Sequence, residues 1–192
     1  GGILRRIFVS IDVHRLAEIA EDAKRNPIVL VPSHRSYFDF LLLSVLLYAH
    51  HLVPPHILAR ENMAFGPFGY IFRRAGAFFM RRNFDDPLYK EVFRSYVAYL
   101  VKEGFTQEFF IEGGRSRTGK TLVPRLGMLS WDVEGFLAGG RRDLFFVPIG
   151  INYDHVLEDL NMLAWTDPHS KRKGIAFHLR NVARFLRFNL FV

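Results

Sequence analysis

The sequence predicts an α/β domain: a largely parallel or mixed sheet with crossover helices. Two observations predict it. Short apolar runs rich in Val, Ile and Phe alternate with longer stretches whose apolar residues recur at helical spacing. Pro, Gly and Asp punctuate the junctions between them, where helices and strands start and stop. The composition agrees. A chain of 192 residues with 49% apolar residues, 23% charged residues and no cysteine is not a disordered chain, a collagen-like chain or a disulfide scaffold. A zinc site built on thiolates is excluded too. The length fits a single domain over residues 1–192.

The elements follow in order. Phe8–Asp12 reads as a short strand, and Val13–Arg25 as a helix with Leu16, Ile19, Ala20 and Ala23 on one face. Ile28–Val31, a β-branched run after Pro27, reads as a buried strand. Tyr37–Ala49 is apolar nearly all round, which predicts a buried helix. Ile57–Ala59 is a further strand. Phe65–Arg74 carries Gly66-Pro67 and then a helix, and Ala77–Met80 is a strand between Gly76 and Arg81. Asp85, Asp86 and Pro87 mark a helix start, with Gly104 the stop after about Lys102. Glu108–Ile111 is a strand. Pro124–Ala138 is a helix closed by Gly139-Gly140. Leu144–Ile149 is a buried strand in which Pro148 marks an edge or a bulge. Ile175–Phe191 is a basic helix with a Phe/Leu face.

Twenty Phe and a net charge of +7, from 26 Lys+Arg against 19 Asp+Glu, are the unusual entries in the composition. A basic, Phe-rich domain suits nucleic acid, an anionic membrane or an anionic small substrate. The longest apolar run, Phe40–Ala49, is broken by Ser44 and flanked by Asp39 and His50. It is short of the ~20 residues a spanning helix needs. The chain opens on Gly1-Gly2 without an initiating methionine, as a fragment of a longer chain would.

In a parallel sheet, sites form in loops at the carboxyl ends of strands. Three loops therefore matter. The first reads Val31-Pro32-Ser33-His34-Arg35-Ser36-Tyr37-Phe38-Asp39. On one continuous helix, five residues turn about 500°, so His34 and Asp39 would not share a face. They meet only if His34 lies in the turn before the helix. Asp39 then fixes the imidazole tautomer, and the other ring nitrogen is free to take a proton from a hydroxyl. The competing reading is an ordinary turn histidine with Asp39 or Ser36 at a helix start.

The second loop ends the strand Ala77–Met80 on Arg81 and Arg82, with Arg73 and Arg74 just upstream. Arginine forks suit phosphate oxygens. The third reads Glu112-Gly113-Gly114-Arg115-Ser116-Arg117-Thr118-Gly119-Lys120. Two glycines let backbone approach a ligand. Arg115, Arg117 and Lys120 supply charge, and Ser116 and Thr118 hydroxyl donors. Gly114, Gly119, Lys120 and Thr121 satisfy the spacing of a nucleotide P-loop, but charged residues fill its interior and no clear helix starts at Lys120.

Four motifs thus follow one another at strand ends: His-x4-Asp, Gly-x-Phe-Phe-x-Arg-Arg, Phe-x-Glu-Gly-x-Arg and Val-Pro-Ile. Their order resembles the glycerolipid acyltransferase superfamily, and more narrowly its glycerol-3-phosphate and dihydroxyacetone-phosphate acyltransferases. The resemblance covers about Ile28 to Asp154. It implies His34 as general base with Asp39 as its partner, and it implies that Arg82, Glu112, Gly113 and Arg115 bind the glycerol phosphate. Pro148 falls in the block tied to the acyl donor. Charge and position add Arg81, Arg117 and Lys120 to the phosphate-binding set, and the third loop's backbone freedom and hydroxyl donors add Gly114 and Ser116. The family's catalytic domain usually continues further, so a closing C-terminal strand is expected beyond this chain.

The expected reaction moves a fatty acyl group from acyl-CoA or acyl-carrier protein to the sn-1 hydroxyl of glycerol 3-phosphate, giving lysophosphatidate in the first step of phospholipid synthesis. Neither a bound cofactor nor a metal is required. The tetrahedral oxyanion needs donors, and backbone N–H groups near the helix start are candidates. Dihydroxyacetone phosphate and lysophosphatidate are alternative acceptors. A partner set of glycerol 3-phosphate, thioester donor and anionic membrane, without nucleic acid, goes with this reading. So does a membrane-associated location, at the cytoplasmic face of the inner membrane in a bacterium. The tail Asn181–Val192, with Arg184 and Arg187 among Phe and Leu, either covers the core or lies on anionic lipid. A noncatalytic anionic-lipid or nucleic-acid binding module is the alternative of another class; it leaves His34 and Asp39 unexplained.

Overall fold

The computed structural model describes residues 10–36, 39–64, 66–116, 120–139 and 142–154. The chain divides into two units, one of Leu16–Val156 and one of Gly1–Arg15 with Leu157–Val192. Every described helix and strand lies in the first. The elements are α1 (Leu16–Ala23), β1 (Ile28–Pro32), α2 (Asp39–Ala49), β2 (His56–Arg60), a 3-10 turn over Glu61–Met63, α3 (Gly66–Arg74), β3 (Ala77–Met80), α4 (Pro87–Glu103), β4 (Gln107–Glu108), α5 (Gly127–Gly139) and β5 (Phe145–Ile149). The sheet order is β3-β2-β4-β1-β5, and every pairing is parallel. This is the expected α/β architecture.

Strand alternation sorts the core to both faces of the sheet. Val29 and Val31 pack with Phe93 and Val97 of α4 and Met128 of α5. Ile28 and Leu30 face the other way, against Leu47 of α2 and Leu16 and Ile19 of α1. A sheet buried on both faces is why the strands read as unbroken apolar runs. An aromatic cluster fills the α4–α5 side: Phe93 lies 5.6 Å from Phe84, 5.9 Å from Phe78 and 5.8 Å from Trp131, centroid to centroid. Such aromatic pairs contribute about 0.5–1.5 kcal/mol beyond their buried area.

Local chemistry sets the boundaries. The Asp86 side chain caps α4 by accepting from the Leu88 and Tyr89 N–H groups, Pro87 opens it, and Gly104 in the left-handed region closes it. Where α4 crosses α5, a Cβ on Gly135 would sit 2.8 Å from the Ala98 Cα, so glycine sets the interhelix approach.

Several expectations shift. The strand expected over Glu108–Ile111 pairs only at Gln107–Glu108, because Phe110 already begins the turn that Gly113 closes by donating to its carbonyl. The helix expected from Pro124 starts at Gly127, since the Arg125 N–H is drawn to the Ile111 carbonyl at 2.7 Å. α2 is buried along one side only: Leu42, Leu43 and Leu47 are covered, whereas Tyr48 is 74% exposed. Among the described strands, β5 with its Pro148 lies at an edge of the sheet. Ser10–Asp12 forms no strand, while Phe8, Val9 and the expected helix Ile175–Phe191 lie outside the described residues.

Candidate active site

All five strands run the same way, so their carboxyl ends share one edge of the sheet. The first loop leaves β1 there. Its His34 sits in the turn before α2, and Asp39 is the first residue of that helix. The His34 Nδ1 lies 2.8 Å from Asp39 Oδ2. The same oxygen accepts from the backbone N–H groups of Arg35 at 2.7 Å and Ser36 at 2.9 Å. The turn therefore folds back over the helix start, as a His-Asp contact across five residues requires. Asp39 is fully buried, and the Tyr153 hydroxyl donates to its other oxygen, Oδ1, at 2.6 Å.

Nδ1 is committed to a carboxylate, so Nε2 is the nitrogen available to accept a proton. Phe110 stacks on the imidazole with ring centroids 4.0 Å apart, which fixes the ring plane from the side of the third loop.

That third loop is pinned to the first. Glu112 Oε1 accepts from the His34 backbone N–H at 3.3 Å, and Oε2 from Leu122 N–H at 2.9 Å. Ser116, fully buried, donates its N–H to the His34 carbonyl at 3.0 Å and its hydroxyl to the Lys120 carbonyl. Glu112 and Ser116 thus act here as struts between loops. Gly113 has φ +65°, and a Cβ there would meet the Arg125 side chain at 2.6 Å. Gly114 is different: a Cβ on it would meet nothing within 4 Å, so the fold itself does not demand glycine there. No helix follows Lys120 until Gly127, unlike a nucleotide P-loop, whose helix begins at the lysine.

The cations occupy the same edge. Arg81 and Arg82 follow β3. The Arg82 N–H donates to Glu61 at 3.1 Å, and the Arg81 guanidinium lies 4.8 Å above the Tyr89 ring. Both side chains are exposed. Arg115 is half-buried and Lys120 exposed; Arg117 lies outside the described residues. Arg60, at the end of β2 and paired in register with Met80, donates to the Gly113 carbonyl. It ties the second strand end to the third loop. The sequence reading missed it, although a strand ending on arginine at this edge was the signal. Pro148 pairs in register with Val31 and helps line a cavity of about 360 Å³. Val31, Ser33, Ile111, Leu122 and Ile149 form other walls.

The N–H groups of His34, Arg35 and Ser36 are engaged by Glu112 and Asp39; Tyr37 and Phe38, nearer the helix start, lie outside the described residues.

Two further carboxyls are buried in the fold. Glu108, fully buried beside Leu30 in register, is pushed well above the ordinary carboxylate range by burial and then by the Asp39 charge. Asp132 of α5, also fully buried, is pushed up to about 7 by burial, against a smaller opposing pull from the Gln107 side chain. The two side chains nonetheless do not reach hydrogen-bond geometry.

A family model described as Acyltransferase matches residues 10–152. The chain belongs to the Acyltransferase family. Among solved structures it is similar to the 1-acyl-sn-glycerophosphate (LPA) acyltransferase PlsC from Thermotoga maritima, with 16% identity and a TM-score of 0.42 over 86% of this chain. The chain spans 66% of that protein, just under two thirds of its length. In this acyltransferase-family chain, no helix among the described residues is long and apolar enough to cross a membrane. No cluster of three metal-ligating side chains occurs among the described residues either.

Proposed function

We propose that the chain moves a fatty acyl group from a thioester, acyl-CoA or acyl-carrier protein, to the sn-1 hydroxyl of glycerol 3-phosphate, forming lysophosphatidate. The observation that carries this reading is the 2.8 Å contact between His34 Nδ1 and the buried Asp39 at the carboxyl edge of a parallel sheet. A family membership that covers the same residues supports it.

The chemistry follows. The acceptor hydroxyl is a poor nucleophile until a base takes its proton. His34 Nε2 takes that proton as the oxygen attacks the thioester carbonyl, and Asp39 stabilises the imidazolium that forms. The tetrahedral intermediate collapses, the C–S bond breaks, and the imidazolium returns the proton to the departing sulfur. Ser33 and Ser36 are not needed as nucleophiles: Ser33 Oγ accepts from Ile151, and Ser36 is buried.

Arg115, Arg81, Arg82 and Lys120 draw the acceptor phosphate to this edge, and Gly113 and Gly114 admit it. Arg117 joins them by its place in the motif. The cavity beside Pro148 takes the acyl donor. The enzyme works at an anionic membrane surface, where its substrate and product partition.

The test is thioester-dependent release of free thiol with an acceptor panel. Release with glycerol 3-phosphate above dihydroxyacetone phosphate and lysophosphatidate supports the assignment. Preference for either of those moves the acceptor within the same chemistry. No release with any acceptor favours a noncatalytic binder.

A further inference from the structure

We propose that Tyr153 is a positioning residue of this site, holding Asp39 in line with the imidazole; this rests on the His34–Asp39 reading above. Asp39 has no water to turn to, being fully buried. Its Oδ2 receives three donors, namely His34 Nδ1, Arg35 N–H and Ser36 N–H. Its Oδ1 receives the Tyr153 hydroxyl at 2.6 Å, across 114 residues of sequence. A short bond from a neutral donor to a carboxylate belongs to the stronger class of hydrogen bonds. It also closes the rotation that three bonds on one oxygen leave open.

The backbone is built to deliver that hydroxyl. Ser33, one residue before the base, donates its N–H to the Ile149 carbonyl at 2.9 Å and accepts the Ile151 N–H on its own Oγ at 3.0 Å. This double clip ties the chain leaving β5 to the chain leaving β1. Ile151 is buried against it, Asn152 points to solvent, and Tyr153 turns back inward. The segment after the Val147-Pro148-Ile149 block thus supports the partner of the base through Tyr153, while its Gly150 helps line the cavity.

The experiment compares the full chain with Tyr153→Phe and His34→Ala in steady-state thiol release, with circular dichroism as the fold check. Phenylalanine keeps the ring and removes only the donor. The expected result is a kcat on the order of 10-fold lower, with the KM of donor and acceptor within about 2-fold. The downfield His34 Nδ1–H proton resonance should also shift or broaden. A tyrosine that merely packs would lower the melting temperature and leave kcat and the resonance in place, and that result overturns the proposal. Ser33→Ala supplies a second route if Tyr153→Phe does not fold. It keeps the tyrosine and removes half the clip, so it should lower kcat and shift the His34 Nδ1–H resonance with the acceptor KM unchanged; an unchanged kcat and resonance count against the proposal. The two failures are separable. An active His34→Ala removes the dyad reading itself, whereas an inactive His34→Ala beside a fully active Tyr153→Phe removes only the role given to the tyrosine.

Discussion

The carboxylate of Glu112 holds the backbone of His34: Oε1 accepts the His34 N–H at 3.3 Å across 78 residues of sequence. Its other oxygen accepts from Leu122, so one buried side chain ties the loop after β1 to the loop after β4. Burying a carboxylate is costly unless donors meet it, and here two backbone donors do. The base and the cation-rich loop are therefore parts of one frame.

Glu112→Ala removes both bonds and leaves two backbone donors to find new partners. Hydrogen bonds to a charged group are worth about 1.5–3 kcal/mol each, so a loss of about 3–6 kcal/mol for the two is expected in urea unfolding, with kcat reduced as well. A variant as stable as the parent would show that the loops are held together by something else.

Arg115→Ala should raise the acceptor KM at least about 10-fold and move the donor KM little, because a guanidinium fork addresses phosphate oxygens. Arg115→Lys should not restore it, since an ammonium cannot reproduce the bidentate geometry. Steady-state kinetics with each substrate varied in turn is the check. Equal effects on both KM values would take the arginine away from the acceptor.

Stability should fall as pH rises through the Asp132 titration. Burial lifts this carboxyl from the ordinary 3.8 to about 7. Between those values the folded protein keeps a proton that the unfolded chain has released, so rising pH favours unfolding. At about 1.4 kcal/mol per pH unit the full effect is on the order of 4 kcal/mol. Asp132→Asn should be the more stable protein at pH 7.5 and show a flatter profile in urea unfolding from pH 4 to 7. Glu108 pulls in the same direction, so a residual slope remains. Parallel profiles for parent and variant would contradict the assignment.

The glycines at 113 and 135 should fail differently. Gly135→Ala drives a methyl into the Ala98 backbone, which cannot yield without parting α4 from α5. Overpacking of this kind costs about 1–3 kcal/mol. Gly113→Ala meets a flexible arginine side chain and pays mainly for φ +65°, about 1 kcal/mol. Its larger effect should be on turnover, because the loop it bends carries Glu112 and Arg115. Thermal melts and rates on the two variants separate these outcomes.

Much of this was legible in the sequence, for a physical reason. Strands buried on both faces leave apolar runs such as Ile28–Val31, and a helix start such as Asp86-Pro87 carries its own capping chemistry, so both can be read locally. The pairing of His34 with Asp39 was readable because a strand-to-helix turn is the one geometry that lets them meet. Long-range hydrogen bonds were not readable. Glu112 looks like a ligand residue in its motif, yet its partners lie 78 and 10 residues away. Tyr153 lies beyond the strand read over Leu144–Ile149, and nothing local in the sequence marks it as the partner of Asp39. The shortened β4 and the late start of α5 have the same origin: turn and loop hydrogen bonds around Ile111 and Arg125 override local propensity.

The central claim is that His34, aligned by Asp39, is the base for acyl transfer. The most direct measurement is the rate of thiol release from an acyl thioester with a saturating phosphate-bearing acceptor, for the parent, His34→Ala and Asp39→Asn. Loss of a general base typically costs about 10²–10⁴-fold, and a drop of that size in His34→Ala, with a severe loss in Asp39→Asn and folding intact, is the predicted result. A His34→Ala protein that turns over near the parental rate would contradict it.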